Sequence, residues 1–103
     1  MVNQESINAS PTMSIRRIGL PVVLQDFGER YLLAVYLSGS PPALWREVLR
    51  AVTTHAVSDA TSVLVVSDLL TFTAPDADVE RWLPDIDRWI DATNRVCGSS
   101  RLT

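Results

Sequence analysis

Lysine is absent from this chain, cysteine and histidine occur once each, and no apolar run approaches the length of a membrane span. Each scarcity excludes something. One cysteine, Cys97, cannot close an internal disulfide or build a multi-cysteine metal site. It falls at the end of a helical pattern, just before Gly98, and reads as a small, partly buried residue. The one histidine, His55, has no catalytic partner at a telling spacing and reads as an exposed helix-end residue. A spanning helix needs ~18–20 apolar residues, so membrane insertion by a helix is not expected. The four glycines are scattered, and none belongs to a phosphate-binding loop. No carboxylate–histidine metal set and no nucleophile–base pair appears, so the expectation is no catalytic residue, no metal and no cofactor.

Positive charge is also scarce. All nine basic residues are arginine, the net charge is −3, and half of the twelve acids fall between Asp76 and Asp91. A nucleic-acid binder needs a basic face to displace counterions. Arg16-Arg17 and the Arg46/Arg50 pair are too sparse for that, and nucleic acid is not expected as a partner. The lack of lysine matches the codon bias of a GC-rich, bacterial genome.

What is present is one modest core: 103 residues, 47 % hydrophobic, suffice for one domain and not for two. Met1–Ser14 is polar, with no basic start and no apolar segment of signal-peptide type. The expected organisation is a flexible leader over 1–14, a single α+β domain over 15–97 and a flexible tail over 98–103, in a soluble cytoplasmic protein.

Within 15–97 one short unit is written twice: two extended runs, then an amphipathic helix. Ile18–Gln25 alternates with a period of two around Pro21, which brings no N–H to a ladder and marks an edge strand. Asp26–Glu29 is a turn. Tyr31–Leu37 is apolar at both parities, as a central strand is. Ser40 is expected to cap the first helix, with Pro41 at its first position. Leu44, Trp45, Val48, Leu49 and Val52 then recur at helical spacing, and Ala56–Thr61 is a loop. Ser62–Val66 and Leu69–Thr73 form the second pair of strands about a Ser67-Asp68 turn. Ala74-Pro75-Asp76 opens the second helix, with Asp76 and Asp78 in its first turn. Its stripe of Val79, Trp82, Leu83, Ile86, Trp89, Ile90 and Thr93 passes through Pro84 without losing phase, which predicts a kink inside one continuous helix.

Two hairpins joined by helices leave few topologies. The expected fold is α+β, ββαββα: a four-stranded antiparallel sheet in the order 1-2-4-3 with both helices on one face. This is what a ferredoxin-like sandwich becomes when its last strand is moved to the front.

The functional expectation follows from the sheet. Two helices cover one face, yet the central strand is apolar on both, so one apolar set is left outside: Leu32, Ala34 and Tyr36, or else Tyr31, Leu33, Val35 and Leu37. Such a patch marks an interface. Trp82 and Trp89, one heptad apart, test how much a small core can hold. The candidate interface residues are Tyr31, Leu33, Val35, Tyr36 and Leu37. The expected function is a non-catalytic interaction module that self-associates as a homo-oligomer or docks a protein partner. The alternative is a cofactor-independent enzyme or small-ligand binder with an apolar pocket between sheet and helices.

Overall fold

The structure, a computed structural model, describes residues 14–56 and 60–101. The expected leader, apart from Ser14, lies outside the described residues, as do 57–59 of the expected loop and 102–103 of the expected tail. The elements run β1 (Arg17–Asp26), β2 (Tyr31–Leu37), α1 (Ala43–His55), β3 (Thr61–Val66), β4 (Leu69–Ala74), a 3₁₀ turn (Val79–Trp82) and α2 (Leu83–Arg101). The four strands form one sheet in the order β1-β2-β4-β3, antiparallel throughout. Both helices pack on one face. This is the expected α+β architecture, a ferredoxin-like sandwich with its last strand at the front.

Strand alternation decides what each face carries. On β2, Leu33, Val35 and Leu37 point to the helices. On β4, Leu70, Phe72 and Ala74 do so, and Val63 joins them from β3. Trp45 and Leu49 of α1 meet them from above, with Trp82, Ile86, Trp89 and Cys97 from the second helical segment. All three tryptophans fit, each at most 1 % exposed. Phe72 is what accommodates Trp82 and Trp89 together: it meets both at 61° and 83°, with centroids 5.8 and 5.6 Å apart. Edge-to-face contacts of this kind add to the burial term. Trp45 and Trp82 also have acceptors for their indole N–H groups, whereas the buried Trp89 Nε1 has no hydrogen-bond partner.

Local expectations are corrected at both helices. Helix α1 starts at Ala43, with Pro42 at the N-cap and no side-chain cap. Ser40 instead places its Oγ 3.3 Å from Ser67 Oγ, and Pro41 is buried. Leu44 drops out of the α1 stripe and is exposed.

The second helix does not start at Asp76. Asp78 caps the 3₁₀ turn by accepting from Arg81 N, and Asp76 accepts from Asp78 N, Trp82 Nε1 and Arg81 Nη1.

Pro84 does not kink a continuous helix; it is the second residue of α2. In an α-helix through this point its N–H would bond Glu80 O. Having none, it leaves that carbonyl to Leu83 N, which closes the 3₁₀ turn. Leu83 itself is right-handed helical (φ −58°, ψ −46°), so the apolar stripe keeps its phase across the change. Helical backbone continues past Cys97, where the domain was expected to end, as far as Arg101.

Candidate functional site: the open face of the sheet

The face turned away from the helices is assembled by strand register. Ile18 of β1 pairs with Tyr36 of β2, Tyr36 with Leu69 of β4, and Leu69 with Val66 of β3. The next outward row is Val22, Ala34, Thr71 and Leu64, and the last is Gln25, Leu32, Thr73 and Thr61. None of these twelve residues is charged. The first two rows are almost wholly apolar and cross all four strands.

Relief varies along the face. Ile18, Tyr36 and Val66 stand proud, at 54, 55 and 65 % exposure, whereas Ala34 is fully buried among its larger neighbours. The third row is polar apart from Leu32, and its Thr61 and Thr73 hydroxyls lie 2.6 Å apart. Arg30 closes that end, with Nη2 donating to Thr61 Oγ1 and to the Thr73 carbonyl at 3.2 and 3.1 Å. The face is therefore apolar towards the Tyr36 end and polar towards the Arg30 end.

The expected interface residues divide between the two faces. Tyr36 lies on the open face. Leu33, Val35 and Leu37 are at most 2 % exposed, beneath the helices, and Tyr31 is half-buried on that same side. Those four belong to the core side of β2, because α1 and α2 cover their parity. Leu32 and Ala34 share the open face with Tyr36, and β1, β3 and β4 supply the rest of it. Sequence periodicity could not choose between the parities, since both are apolar.

Both edges of the sheet are irregular. On β1, Gly19 takes φ +74° where the register with β2 slips between Ile18 and Val22, and Pro21 lies within the slip. On β3, Ser62 takes φ +57° at a slip between Thr61 and Leu64. Bulges and proline of this kind spoil an edge as a template for another strand.

On the helix side, the start of β1 is anchored to α2. Arg17 forms a paired contact with Asp87, Nε to Oδ1 at 2.8 Å and Nη2 to Oδ2 at 3.0 Å. That hydrogen bonding pushes the Arg17 guanidinium pKa up, against partial burial and with a further contribution from the charge of Asp87. Asn94 makes a second anchor. Its Oδ1 accepts from Ile15 N and from Trp45 Nε1, and its Nδ2 donates to Ile15 O. One amide thus ties the segment before β1 to both helices. The sequence carried no signal for it, because both partners lie far away along the chain.

Two open surface depressions lie at the margins where a helix meets an edge strand of the sheet. One runs along α2 beside Ile15 and Arg17, the other between the end of α1 and β3. Cys97 faces the core, and burial pushes its thiol pKa up. His55 is exposed at the end of α1. Among the described residues no three His, Cys, Asp or Glu side chains converge on a metal-sized site, and no helix is long and apolar enough to cross a membrane. No protein family, characterised protein or solved structure matches this chain.

Proposed function

We propose that the protein is a non-catalytic interaction module that works through the helix-free face of its sheet, by self-association or by docking a protein partner. The observation that carries this reading is the pair of uncharged rows, Ile18–Tyr36–Leu69–Val66 and Val22–Ala34–Thr71–Leu64, which cross all four strands and expose Ile18, Val22, Tyr36, Leu64 and Val66 to solvent. Contiguous apolar surface of a few hundred Å² costs a protein solubility, and it is typically retained where something covers it. The space between sheet and helices, where the ligand-binding alternative would need a pocket, holds Trp45, Trp82, Trp89 and Phe72 at 0–1 % exposure.

The reading is tested by position. A photo-reactive amino acid at residue 36 is expected to give discrete cross-linked products in the native cell extract. The same group at Glu47, exposed on α1, is expected to give none. Cross-linking from residue 47 with none from residue 36 would place any interaction on the helices and overturn the reading.

A further inference from the structure

Resting on that reading, we infer that the partner on the open face is an acidic protein chain, which passes over the β3 edge and sets a carboxylate against Arg50 of α1. The depression between the end of α1 and β3 receives that carboxylate.

The two depressions at the margins of the sheet occupy equivalent places in the doubled unit. Arg50, Thr53 and Thr54 line one; Asp87, Ile90 and Asp91, all at one constant offset from them, line the other. Their strand sides correspond as well. Thr61 pairs with Thr73, and Ile18 pairs with Tyr36 at that same offset. Each is followed by a register slip and a residue of positive φ, Ser62 at +57° and Gly19 at +74°. Ala60, just before Thr61, thus takes the place of Arg17, just before Ile18.

The charges do not correspond. Beside α2, Arg17 and Asp87 satisfy one another through two bonds. Beside α1, the helix carries Arg50 where α2 carries Asp87, and the strand side offers only Ala60. Arg50 is exposed and, among the described residues, makes no ion pair, not even with Glu47 one turn back. It is the one charged residue lining this depression among those described, in a chain of net charge −3. Thr53 and Thr54 donate their hydroxyl protons to the carbonyls of Leu49 and Arg50 at 2.9 and 2.7 Å. The Arg50 guanidinium is left as the strong donor, and its planar fork matches a carboxylate.

Continuity with the open face identifies the occupant. Thr61 and Leu64 line the depression and also end the third and second rows of the face. A chain covering those rows therefore reaches Arg50 by crossing a single edge strand, whose slip at Ser62 leaves it poorly suited to pairing. Such a partner brings apolar side chains to Val22, Tyr36 and Leu64 and an acidic residue beyond them. Opposite charge at the margin of an apolar contact supplies the selectivity that the uncharged rows lack. A second copy laid face to face would keep its own acidic run, Asp76–Asp91, on the far side of its sheet.

The test reads the product cross-linked from residue 36 in native extract, in wild type and in variants with native far-UV spectra. Arg50→Glu is expected to lower its yield at least about threefold, and Arg50→Gln to lower it less, as loss of a partly exposed charge pair does. Raising NaCl from about 50 mM to about 500 mM should lower the wild-type yield and leave the Arg50→Gln yield nearly unchanged, because screening acts on the pair. Arg88→Glu makes the same charge change in the other depression and should have no effect; an equal loss there would assign the effect to net charge and overturn the inference. A photo-reactive group in place of Thr54 should trap the same protein, through a peptide that contains Asp or Glu on sequencing by mass spectrometry. A residue-36 product indifferent to both Arg50 variants would overturn the inference and keep the interaction module. So would a product of twice 11.4 kDa, which identifies a second copy. No product from residue 36 at any salt concentration would remove the module and the inference together.

Discussion

Replacing Asn94 with alanine removes three hydrogen bonds in one step and exposes how much of the fold hangs on a single side chain. Trp45 Nε1 donates to Asn94 Oδ1 at 2.8 Å, and Trp45 itself is 0 % exposed. Its indole N–H would be left without its acceptor, which costs about 1–3 kcal/mol for a buried donor. The two contacts with Ile15, N to Oδ1 at 3.3 Å and Nδ2 to O at 2.9 Å, are half-exposed. Water replaces part of them, so their loss adds about 1 kcal/mol in total. Asn94→Ala is therefore expected to cost about 2–4 kcal/mol, or about 10–25 °C in Tm for a domain of this size. Urea unfolding followed by far-UV circular dichroism gives the free energy, and the Trp45 indole proton shift reports the lost acceptor directly. Asn94→Asp separates the contributions. It keeps both acceptor contacts but sets a negative charge against Ile15 O, so it should be intermediate at neutral pH. Its deficit relative to wild type should shrink as pH falls through ~4, where the protonated acid can donate to that carbonyl. A loss below about 1 kcal/mol for Asn94→Ala, with the indole shift unchanged, would refute the reasoning.

Other substitutions probe the remaining local arguments. Pro84→Ala should destabilise by about 0.5–1 kcal/mol, because proline at the second residue of α2 loses no helical bond and restrains the unfolded chain. A gain in stability on chemical denaturation would mean that an N–H at this position captures Glu80 O and carries the helix through. Ser67→Gly should raise Tm by a few degrees, since Ser67 holds φ +57° in the β3–β4 turn, where a side chain costs ~1 kcal/mol; a fall would show that its 3.3 Å contact with Ser40 matters more. Cys97 should resist alkylation in the native chain and react readily in denaturant. Because burial raises its folded pKa, the native thiol stays protonated where the unfolded one ionises. Its contribution to stability should then be complete below the unfolded pKa of ~8.5 and decline as pH rises above it. Cys97→Ala should flatten that alkaline decline in a denaturation series against pH, and an unchanged slope would refute the assignment.

How far the fold was legible can be traced residue by residue. Strand positions and order were readable because alternation and Pro21 speak to local geometry, and the chain has few ways to connect two hairpins. The parity of β2 was not, because Tyr31–Leu37 is apolar at every position and only the placement of the helices breaks the tie. The start of α1 is not legible because Ser40-Pro41 imitates a cap and first helical residue, while the Ser40 hydroxyl lies against Ser67 across the fold. Pro84 reads as a kink in the sequence because an unbroken stripe looks the same whether the preceding turn is α or 3₁₀. The Asn94 anchor was invisible for a different reason: its partners Trp45 and Ile15 are brought to it only by the finished packing.

The doubled unit has a consequence for where the molecule acquires its individuality. At one constant offset along the chain, Leu32, Leu33, Trp45 and Leu49 recur as Leu69, Leu70, Trp82 and Ile86. The antiparallel pairing of Ala34 with Thr71 places an approximate internal dyad between β2 and β4, perpendicular to the sheet. Under the helices the dyad-related residues keep their character: Val35 and Phe72, or Leu37 and Ala74, are all apolar and buried. On the open face Leu32 and Leu69 still match, but Tyr36 stands against Thr73 and Ala34 against Thr71. Packing against the helices enforces likeness between the halves, whereas the open face is free of that demand and has become lopsided. A single tyrosine, in the half where symmetry puts a threonine, gives an otherwise repetitive sheet a distinguishable end.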